Sequence, residues 1–369
     1  MQELFYQVAL SLVPGVGTKS ARQLLTYCGS AKDIFNAATG KLKNIPTVRD
    51  SVAIAIKDPM LLHKAEAVIN QAQKHNIAIS FITDPSYPKR LREIPDAPLI
   101  IYYKGSIDLN AAKIIGIVGT RKATPYGKEC LERIIAELSV WNPVIVSGLA
   151  YGIDITAHKI SLELGLNTVA VLGSGIQKIY PEEHRKIAYD MCSQGGLVSE
   201  YQPETKAEIY HFPARNRIIA GLCDGILVAE AAEKGGALIT AELANSYNRE
   251  VMAIPGGLHY NTSIGCHNLI KNNLAHLITS GNDIAALLNW DVQVNETSKF
   301  KLQDTTLRDA LSPDERILYD IIEAHEGIQI DELSWKSTIH ISRTSTLLLQ
   351  LEMQGLIKMM TGKKIKITL

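Results

Sequence analysis

Residues 113–127, which read KIIGIVGTRKATPYG, decide the fold. An apolar run from Lys113 to Val118 is followed by Gly119 and a polar turn, and helical spacing then extends from Gly127 to Leu138. Short apolar runs joined to helices by such turns are typical of parallel strands that are covered by helices on both faces. The stretch therefore predicts one strand–turn–helix unit of an α/β sheet.

The same unit recurs along the chain to about residue 280. Five further apolar runs predict strands at 144–147, 168–172, 196–199, 225–229 and 250–254. Helical segments are predicted between them at 153–164, 182–194, 217–222 and 239–247. We therefore expect an α/β fold with an extended Rossmann-like parallel sheet in a domain of residues 81–290. Within it, residues 81–110 contain four prolines and predict an ordered but irregular bridge rather than a helix.

Residues 1–80 show helical rather than strand spacing, and they predict a small helical domain of the SAM-like or helix-hairpin-helix type. Pro14-Gly15-Val16-Gly17 lies between two helical stretches of this domain. The turn resembles a helix-hairpin-helix, whose amides can meet a DNA phosphate. The alternative is a plain turn between two helices, in which the glycines only supply positive φ angles.

After the sheet domain, residues 291–304 predict a polar linker and residues 305–369 a winged helix. Ser312-Pro313-Asp314-Glu315 supplies an N-cap, a proline at the first helical position and acidic first-turn residues. Eight basic and nine acidic residues give this tail a net charge of −1. A nearly neutral winged helix gains little from counterion release on duplex DNA, although Lys358, Lys363, Lys364 and Lys366 concentrate charge on the wing.

Composition and charge exclude several classes of protein. The chain of 369 residues carries 38 basic and 38 acidic residues, so any polyanion site must be a local cluster. Its five cysteines are widely spaced without a CxxC pair, which argues against disulfides and zinc. No apolar run reaches the length of a membrane span, and no secretory leader is evident, so we expect a cytoplasmic protein that does not contact a membrane.

Known cofactor motifs are also missing from the sequence. Neither G-x-G-x-x-G nor GxxxxGK[ST] occurs, so the usual dinucleotide site and a P-loop ATPase are not supported. Asp154 and His158 stand four residues apart and could ligate a metal, but a further ligand is missing nearby. The alternative, a helix-capping aspartate followed by a histidine one turn later, is favoured, and we expect no metal and no cofactor.

The residues that follow the predicted strands are similar in kind. Glycines, hydroxyls and cations follow the first three strands, and the segment His211–Arg217 adds two arginines and Phe212. Because the carboxyl ends of parallel strands meet at one edge, these groups should line one groove, where arginines pair with phosphates and Phe212 and Tyr201 stack on bases. Alternatively, the glycines only turn strands into helices, and Arg217 pairs internally with Glu200 or Glu230.

Six motifs resemble the DNA-processing protein A (DprA, or Smf) family. They are IVGTRKATPYG (117–127), SGLAYGIDITAHKISL (147–162), VAVLGSGIQKIYPEEH (169–184), SEY (199–201), HFPARNRIIAGL (211–222) and GGALITAELA (235–244). The resemblance implies a non-enzymatic, homodimeric protein that binds single-stranded DNA, protects incoming strands in natural transformation and loads the recombinase RecA.

Site residues follow from the resemblance motif by motif. The expected DNA-binding residues are Gly119, Thr120, Arg121, Lys122, Ser147, Gly148, Gly173, Phe212, Arg215, Asn216 and Arg217. Among them, Lys122 is chosen for its charge and its nearness in sequence rather than from a motif. The expected dimer contact lies in the segment 264–277 and includes Ile264, Leu269, Ile270 and Leu274, unless these side chains are ordinary core.

Two other functions are kept as alternatives. One is a nucleotide phosphoribohydrolase, because Pro255-Gly256-Gly257 begins like the PGGxGTxxE motif of those enzymes, although the glutamate that the motif requires does not follow. The other is a regulator that binds duplex DNA through the winged helix, and the neutral tail argues against it.

Overall fold

A nine-stranded sheet organises the first 290 residues. In the computed structural model the described residues are 2–290, 311–323, 325, 328–353, 356–360 and 364–367, and the chain divides into two compact units, 1–292 and 293–369. The strands of the first unit are β1 (Ala78–Phe81), β2 (Ile100–Gly105), β3 (Ile114–Val118), β4 (Val144–Ser147), β5 (Thr168–Val171), β6 (Gly195–Ser199), β7 (Gly225–Val228), β8 (Glu250–Ala253) and β9 (His276–Leu277).

Fourteen described helices accompany this sheet. They are α1 (Gln2–Ser11), α2 (Thr18–Cys28), α3 (Ala31–Asn36), α4 (Thr39–Lys43), α5 (Asp50–Ala55), α6 (Met60–Lys74), α7 (Lys89–Glu93), α8 (Pro125–Leu138), α9 (Ile153–Glu163), α10 (Arg185–Met191), α11 (His211–Leu222), α12 (Gly236–Ser246), α13 (Ile264–Lys271) and α14 (Gly281–Leu287). None of the described helices combines the length and apolarity that a bilayer crossing requires.

The strand order across the sheet is β1-β2-β6-β5-β4-β3-β7-β8-β9. From β6 to β9 all neighbours are parallel, which confirms the Rossmann-like prediction, and each of the six predicted strands lies within one residue of its observed bounds. The chain order reverses direction at β3, which has β4 on one side and β7 on the other. Ligands of open α/β sheets bind outside the carboxyl ends of the strands at such a point.

The prediction of an irregular bridge at 81–110 is wrong in part. The segment contains the short helix α7 and strand β2, and β2 pairs antiparallel with both β1 and β6, so the sheet is mixed rather than purely parallel. The prolines lie between these elements instead of inside a strand, which is why they do not prevent pairing.

Both faces of the sheet are covered, and the N-terminal helices share its cores. Val8 of α1 and Ala65 of α6 belong to the same buried cluster as Ile100 and Tyr102 of β2. On the other face of the parallel strands, Leu131 of α8 packs in a cluster with α9 and α14. The domain boundary drawn at residue 80 falls inside β1, and the helical segment is packed against the sheet as part of one unit.

The second unit has the helices and sheet of a winged helix. Its elements are α15 (Pro313–Glu323), β10 (Ile328–Gln329), α16 (Ile330–Ser337), α17 (Ile341–Met353), β11 (Ile357–Met360) and β12 (Lys364–Ile367), and the sheet order is β10-β12-β11. Leu318, Leu333, Leu348 and Ile365 are buried in its core. Arg343 pairs with Asp314, and Lys336 pairs with Glu332 at 3.0 Å. The predicted linker, Lys363 and the side chains of the other wing lysines lie outside the described residues.

Candidate nucleic-acid interface

Arg121 and Phe212 form the outer layer of the carboxyl edge. Arg121 lies in the turn after β3 and is exposed, and its guanidinium carbon lies 5.9 Å from the centroid of the Phe212 ring. Phe212, in the first turn of α11, is half-buried against Gly173, the second residue after β5: a Cβ built on this glycine would lie 2.9 Å from the ring. The glycine therefore seats the ring, and the ring supports an exposed cation at the sheet edge.

The turn after β3 is fixed by its own backbone. Thr120 donates its amide to the Glu230 carbonyl at 2.8 Å and accepts the Ile153 amide at 3.1 Å, and its hydroxyl accepts the amide of Lys122 at 3.2 Å. Gly119 is needed for packing, because a Cβ there would come within 2.5 Å of Ile153. Arg121 and Lys122 are thus two neighbouring exposed cations on a turn that is held in place.

A buried carboxylate organises the turn after β4. The Gly148 amide donates to Oδ2 of Asp154 at 3.1 Å, so this amide is already used inside the protein and is not open to a phosphate. Ser147 is fully buried and donates its hydroxyl to the Ile117 carbonyl at 2.6 Å. Leu149 has a φ of 58°, a conformation that costs a non-glycine residue energy and persists only where its surroundings enforce it.

Arg215 lies beneath this turn rather than in the groove. It is only 5% exposed, and Nη1 donates to the Val171 carbonyl at 2.7 Å. Burial lowers the pKa of its guanidinium to about 10, and the nearby Asp154 carboxylate opposes that shift. In this structure Arg215 supports the turn after β4, where a Cβ on Gly148 would lie 1.8 Å from Nη1, and a direct contact of Arg215 with DNA stays a prediction.

Asp154 and His158 both make internal contacts. Burial raises the pKa of the Asp154 carboxyl, which Arg215 and the amides of Gly148 and Ala150 partly offset. His158 is fully buried with Nδ1 2.7 Å from the Thr168 hydroxyl, and burial lowers its pKa to about 3, so it is neutral. Within the described residues, no group of three or more His, Cys, Asp and Glu side chains is placed to hold a metal.

Arg217 and Asn216 also make internal contacts. Arg217 Nη2 pairs with Oε2 of Glu200, and its Nε lies 3.9 Å from Asp96. Arg217 therefore makes an internal ion pair with Glu200, as in the alternative given for it in the sequence. Asn216 is 9% exposed and donates to the Gly236 carbonyl at 3.2 Å, which ties α11 to the start of α12.

The helix α11 begins earlier than expected, at His211 rather than Arg217. Pro213 is compatible with this earlier start, because it is the third residue of α11, where an amide has no intrahelical acceptor and proline costs little. The early start places Phe212 in the first turn and directs Arg215 and Arg217, which lie further along the helix, into the body of the protein.

Two aromatic residues that the sequence did not single out, Tyr151 and Tyr180, lie in the loops that follow β4 and β5. Tyr180 lies 5.5 Å from Phe212 between ring centroids, and Tyr151 lies 4.9 Å from His184. Tyr201, which was expected to stack on bases, is stacked on His211 at 4.0 Å. An aromatic residue in a loop after a strand could have been recognised from the sequence. Tyr151 and Tyr180, however, lie several residues beyond the ends of β4 and β5.

The segment expected at the dimer contact is divided between core and surface. Leu269 is 5% exposed and packs in the main core, with Ile270 against it, and Ile264 is partly buried. Leu274 and Leu277 are 44% and 51% exposed, and Leu277 lies in β9 at the end of the sheet.

The fold and this edge define a Rossmann-like α/β protein that carries a winged helix. Residues 78–289 match the family described as DNA recombination-mediator protein A, and residues 303–363 match the DprA winged helix domain. The chain belongs to the DNA processing protein A family.

Similar proteins come from several bacteria. DNA processing protein DprA of Streptococcus pneumoniae is 44% identical over 205 residues, which are 56% of this chain and 72% of that protein. Protein Smf of Synechocystis is 36% identical over 290 residues, 78% of this chain and 73% of the relative.

Two solved structures are also similar. The X-ray structure of the S. pneumoniae protein has a TM-score of 0.67 at 34% identity and covers 76% of this chain and 97% of its own. A structure of DNA processing protein A from Helicobacter pylori, described for its single-stranded DNA binding mode, has a TM-score of 0.52 at 27% identity. The match covers 58% of this chain and 95% of the H. pylori chain.

Proposed function

We propose that this protein binds single-stranded DNA along the carboxyl edge of its sheet, without cutting it. The exposed pair Arg121 and Lys122, on a turn fixed by backbone bonds and backed by Phe212, is the observation that carries the proposal. A chain with equal numbers of acidic and basic residues gains affinity for a polyanion only from such a local cluster. Phosphates and ring faces are common to all nucleotides, so the binding has little dependence on base sequence.

The roles of the candidate residues then differ. Arg121 and Lys122 contact phosphates, and Phe212 lines the path of the strand. Ser147, Gly148, Gly173, Arg215 and Asn216 hold the turns that carry the contacts, since their side chains or glycine positions are engaged inside the protein.

The direct test is the salt dependence of oligonucleotide binding by Arg121→Ala. On a single strand, each phosphate that the protein neutralises adds about 0.7 to the slope of log K against log salt. The variant neutralises one phosphate fewer, so it should bind more weakly and with a shallower slope. Lys74→Ala removes one positive charge from α6, away from the strand-end loops, and should leave both quantities unchanged. Unaltered affinity of Arg121→Ala would contradict this site assignment.

We further propose that the protein protects incoming strands in natural transformation and transfers them to the recombinase RecA. Membership of the recombination-mediator family supports this role. The expected result is faster RecA assembly on single strands that carry single-strand-binding protein, measured with the full chain. Acceleration that persists in Arg121→Ala would show that the effect does not depend on this edge.

A homodimer is proposed at the exposed end of the sheet, where Leu274 and Leu277 lie. Substitution of Leu277 by Asp should convert the dimer to a monomer in light scattering. Tyr27→Asp, a change at a residue of α2 that is 52% exposed, is the control. A wild-type mass of one chain at micromolar concentration would reject the proposal.

We propose that the protein is not a nucleotide hydrolase. The loop Pro255-Gly256-Gly257 follows β8, but the glutamate of the hydrolase motif is absent from it, and Gly256 is held by His267, whose Nε2 lies 3.0 Å from the glycine carbonyl. Release of free base from nucleoside monophosphates in a way that depends on Glu200 or Glu230 would overturn this part.

A further inference from the structure

Tyr180 is an exposed aromatic residue at the proposed DNA edge to which none of the roles above is assigned. It lies in the loop that follows β5 and is 51% exposed, whereas Ile176 and Ile179 of the same loop are 2% and 5% exposed. The loop therefore anchors its aliphatic side chains in the core and leaves the tyrosine at the surface. Single exposed aromatic residues are common on protein surfaces, so it is the position of Tyr180 beside Phe212, and not its exposure alone, that suggests a role.

The loop that carries Tyr180 is held on several sides. Gly175 donates its amide to the Thr205 carbonyl at 2.8 Å, Gln177 to the Pro203 carbonyl at 2.9 Å, and the Ser174 hydroxyl to the Lys178 carbonyl at 2.6 Å. These bonds tie the loop to the segment that follows β6 and close it on itself. A ring on such a support is in position before a ligand arrives, which reduces the entropy lost on binding.

Tyr180 also differs from Phe212 in what covers it. Phe212 rests on Gly173 and has the Arg121 guanidinium over its ring, so much of its surface is used within the protein. Tyr180 touches Phe212, with 5.5 Å between the ring centroids and a tilt of 46° between the ring planes. Arg121 and Tyr180 therefore share Phe212 as a neighbour, and half of Tyr180 is open to solvent.

We propose that Tyr180 is a stacking position for an unpaired nucleobase, next to the phosphate contact at Arg121. The inference rests on the proposed function and adds the part of the ligand that the cations cannot recognise. A tyrosine ring has a flat apolar face that every base can cover, and stacking of this kind does not select a sequence. Arg121 neutralises the backbone while Tyr180 takes the base attached to it.

The test separates base from backbone by comparing two labelled oligonucleotides of about 16 nucleotides, one of thymidine and one with abasic residues throughout. Tyr180→Ala in the full chain should bind the thymidine strand about 5- to 150-fold more weakly and the abasic strand as the wild type does. Tyr180→Phe should retain binding to both. Arg121→Ala should weaken both, because the two strands carry the same phosphates.

Two further variants serve as controls, one for the flat face of the ring and one for the loss of any exposed tyrosine. Tyr180→Leu keeps an apolar contact with Phe212 but removes the flat face, and it should behave as Tyr180→Ala. Tyr189→Ala removes a tyrosine that is 47% exposed on α10 and should bind both strands normally. Unfolding transitions of all variants show whether a loss of affinity comes from unfolding.

The inference is overturned if Tyr180→Ala binds the thymidine strand normally, or if its affinity falls by the same factor on both strands. Failure of the wild type to bind either oligonucleotide is a different result, because it rejects the proposed function and the inference together. Wild-type binding with an unchanged Tyr180→Ala variant rejects only the inference.

Discussion

Gly148 occupies a position where a methyl group has no room. Its amide is held by Asp154, and a Cβ would lie 1.8 Å from Nη1 of Arg215, which is fixed in turn by the Val171 carbonyl. Glycine, carboxylate and arginine therefore act as one support for the turn after β4. The sequence revealed the residue types of this support, but it suggested phosphate contacts for Gly148 and Arg215 because the residue type alone does not say what a side chain faces.

We expect Gly148→Ala to destabilise the protein by about 1–3 kcal/mol, since the added methyl must displace a buried guanidinium. Urea unfolding measures this change. Gly40→Ala is the matched control: Gly40 lies in α4 with open space around its Cβ position, and alanine should leave stability unchanged or slightly higher. Equal midpoints for wild type and Gly148→Ala would show that the turn rearranges freely.

Glu200 and Arg217 form a second internal pair, in which burial raises the pKa of the carboxyl and the guanidinium opposes that rise. Arg217→Ala should cost about 3–5 kcal/mol at neutral pH, because it leaves a buried carboxylate unpaired. Without the guanidinium the folded-state pKa of Glu200 rises further, so the folded variant binds a proton at a higher pH than the folded wild type does. The cost of the substitution should therefore be smaller at pH 5 than at pH 7.

Denaturant unfolding of wild type and Arg217→Ala at both pH values tests this dependence. The double variant Glu200→Gln/Arg217→Ala has no carboxyl at this position and should lose the pH-dependent part. A cost that is the same at pH 5 and pH 7 would mean that poorer packing, rather than the unpaired charge, destabilises Arg217→Ala.

At the scale of elements, the local sequence pattern was sufficient to predict the parallel strands. Because these strands are buried on both faces, they consist of continuous apolar runs. The ends of the runs therefore predicted the ends of the strands to within one residue. β2 was not predicted, although Ile100 to Tyr103 is apolar. In β2, Tyr102 lies opposite Ser199 of β6, and local periodicity cannot reveal antiparallel pairing between residues so far apart in the chain. Tyr180 was missed for a related reason: its neighbour Phe212 belongs to another element.

The start of α8 shows how one side chain couples a helix to the sheet. The Thr124 hydroxyl accepts the Gly127 amide at 3.1 Å and donates to Oε1 of Glu230 at 2.7 Å. Glu230 is 2% exposed, so it depends on these donors to remain buried.

Thr124→Ala should accordingly lower the free energy of unfolding by about 1–2 kcal/mol, and more if Glu230 finds no other donor. Thr124→Ser keeps the hydroxyl and should restore most of the loss in the same denaturation experiment. If serine proved no better than alanine, the threonine methyl rather than the cap would be the stabilising group.

At the scale of the whole molecule, the chain forms two compact units. The proposed DNA edge lies wholly within the first unit, and in the described part of the second unit Arg343 and Lys336 are paired with acidic residues. Binding to single strands should therefore depend on the first unit.

We expect a chain that ends at Trp290 to bind single-stranded oligonucleotides with the affinity of the full chain at equal salt, measured by fluorescence anisotropy. Duplex of the same length provides the comparison. Loss of single-strand binding on truncation would favour the alternative in which the winged helix is the DNA-contacting part.

The antiparallel ladder between β2 and β6 has a consequence for synthesis on the ribosome. Tyr102 emerges well before Ser199, the residue that it faces, and at 5–20 residues per second the interval is roughly 5 to 20 seconds. Throughout that interval β2 lacks the strand that pairs with its second edge, and an unpaired strand edge can associate with other chains. We therefore expect slower translation between these two codons to prolong the exposure of that edge and to lower the yield of folded protein, even if the finished protein is equally stable.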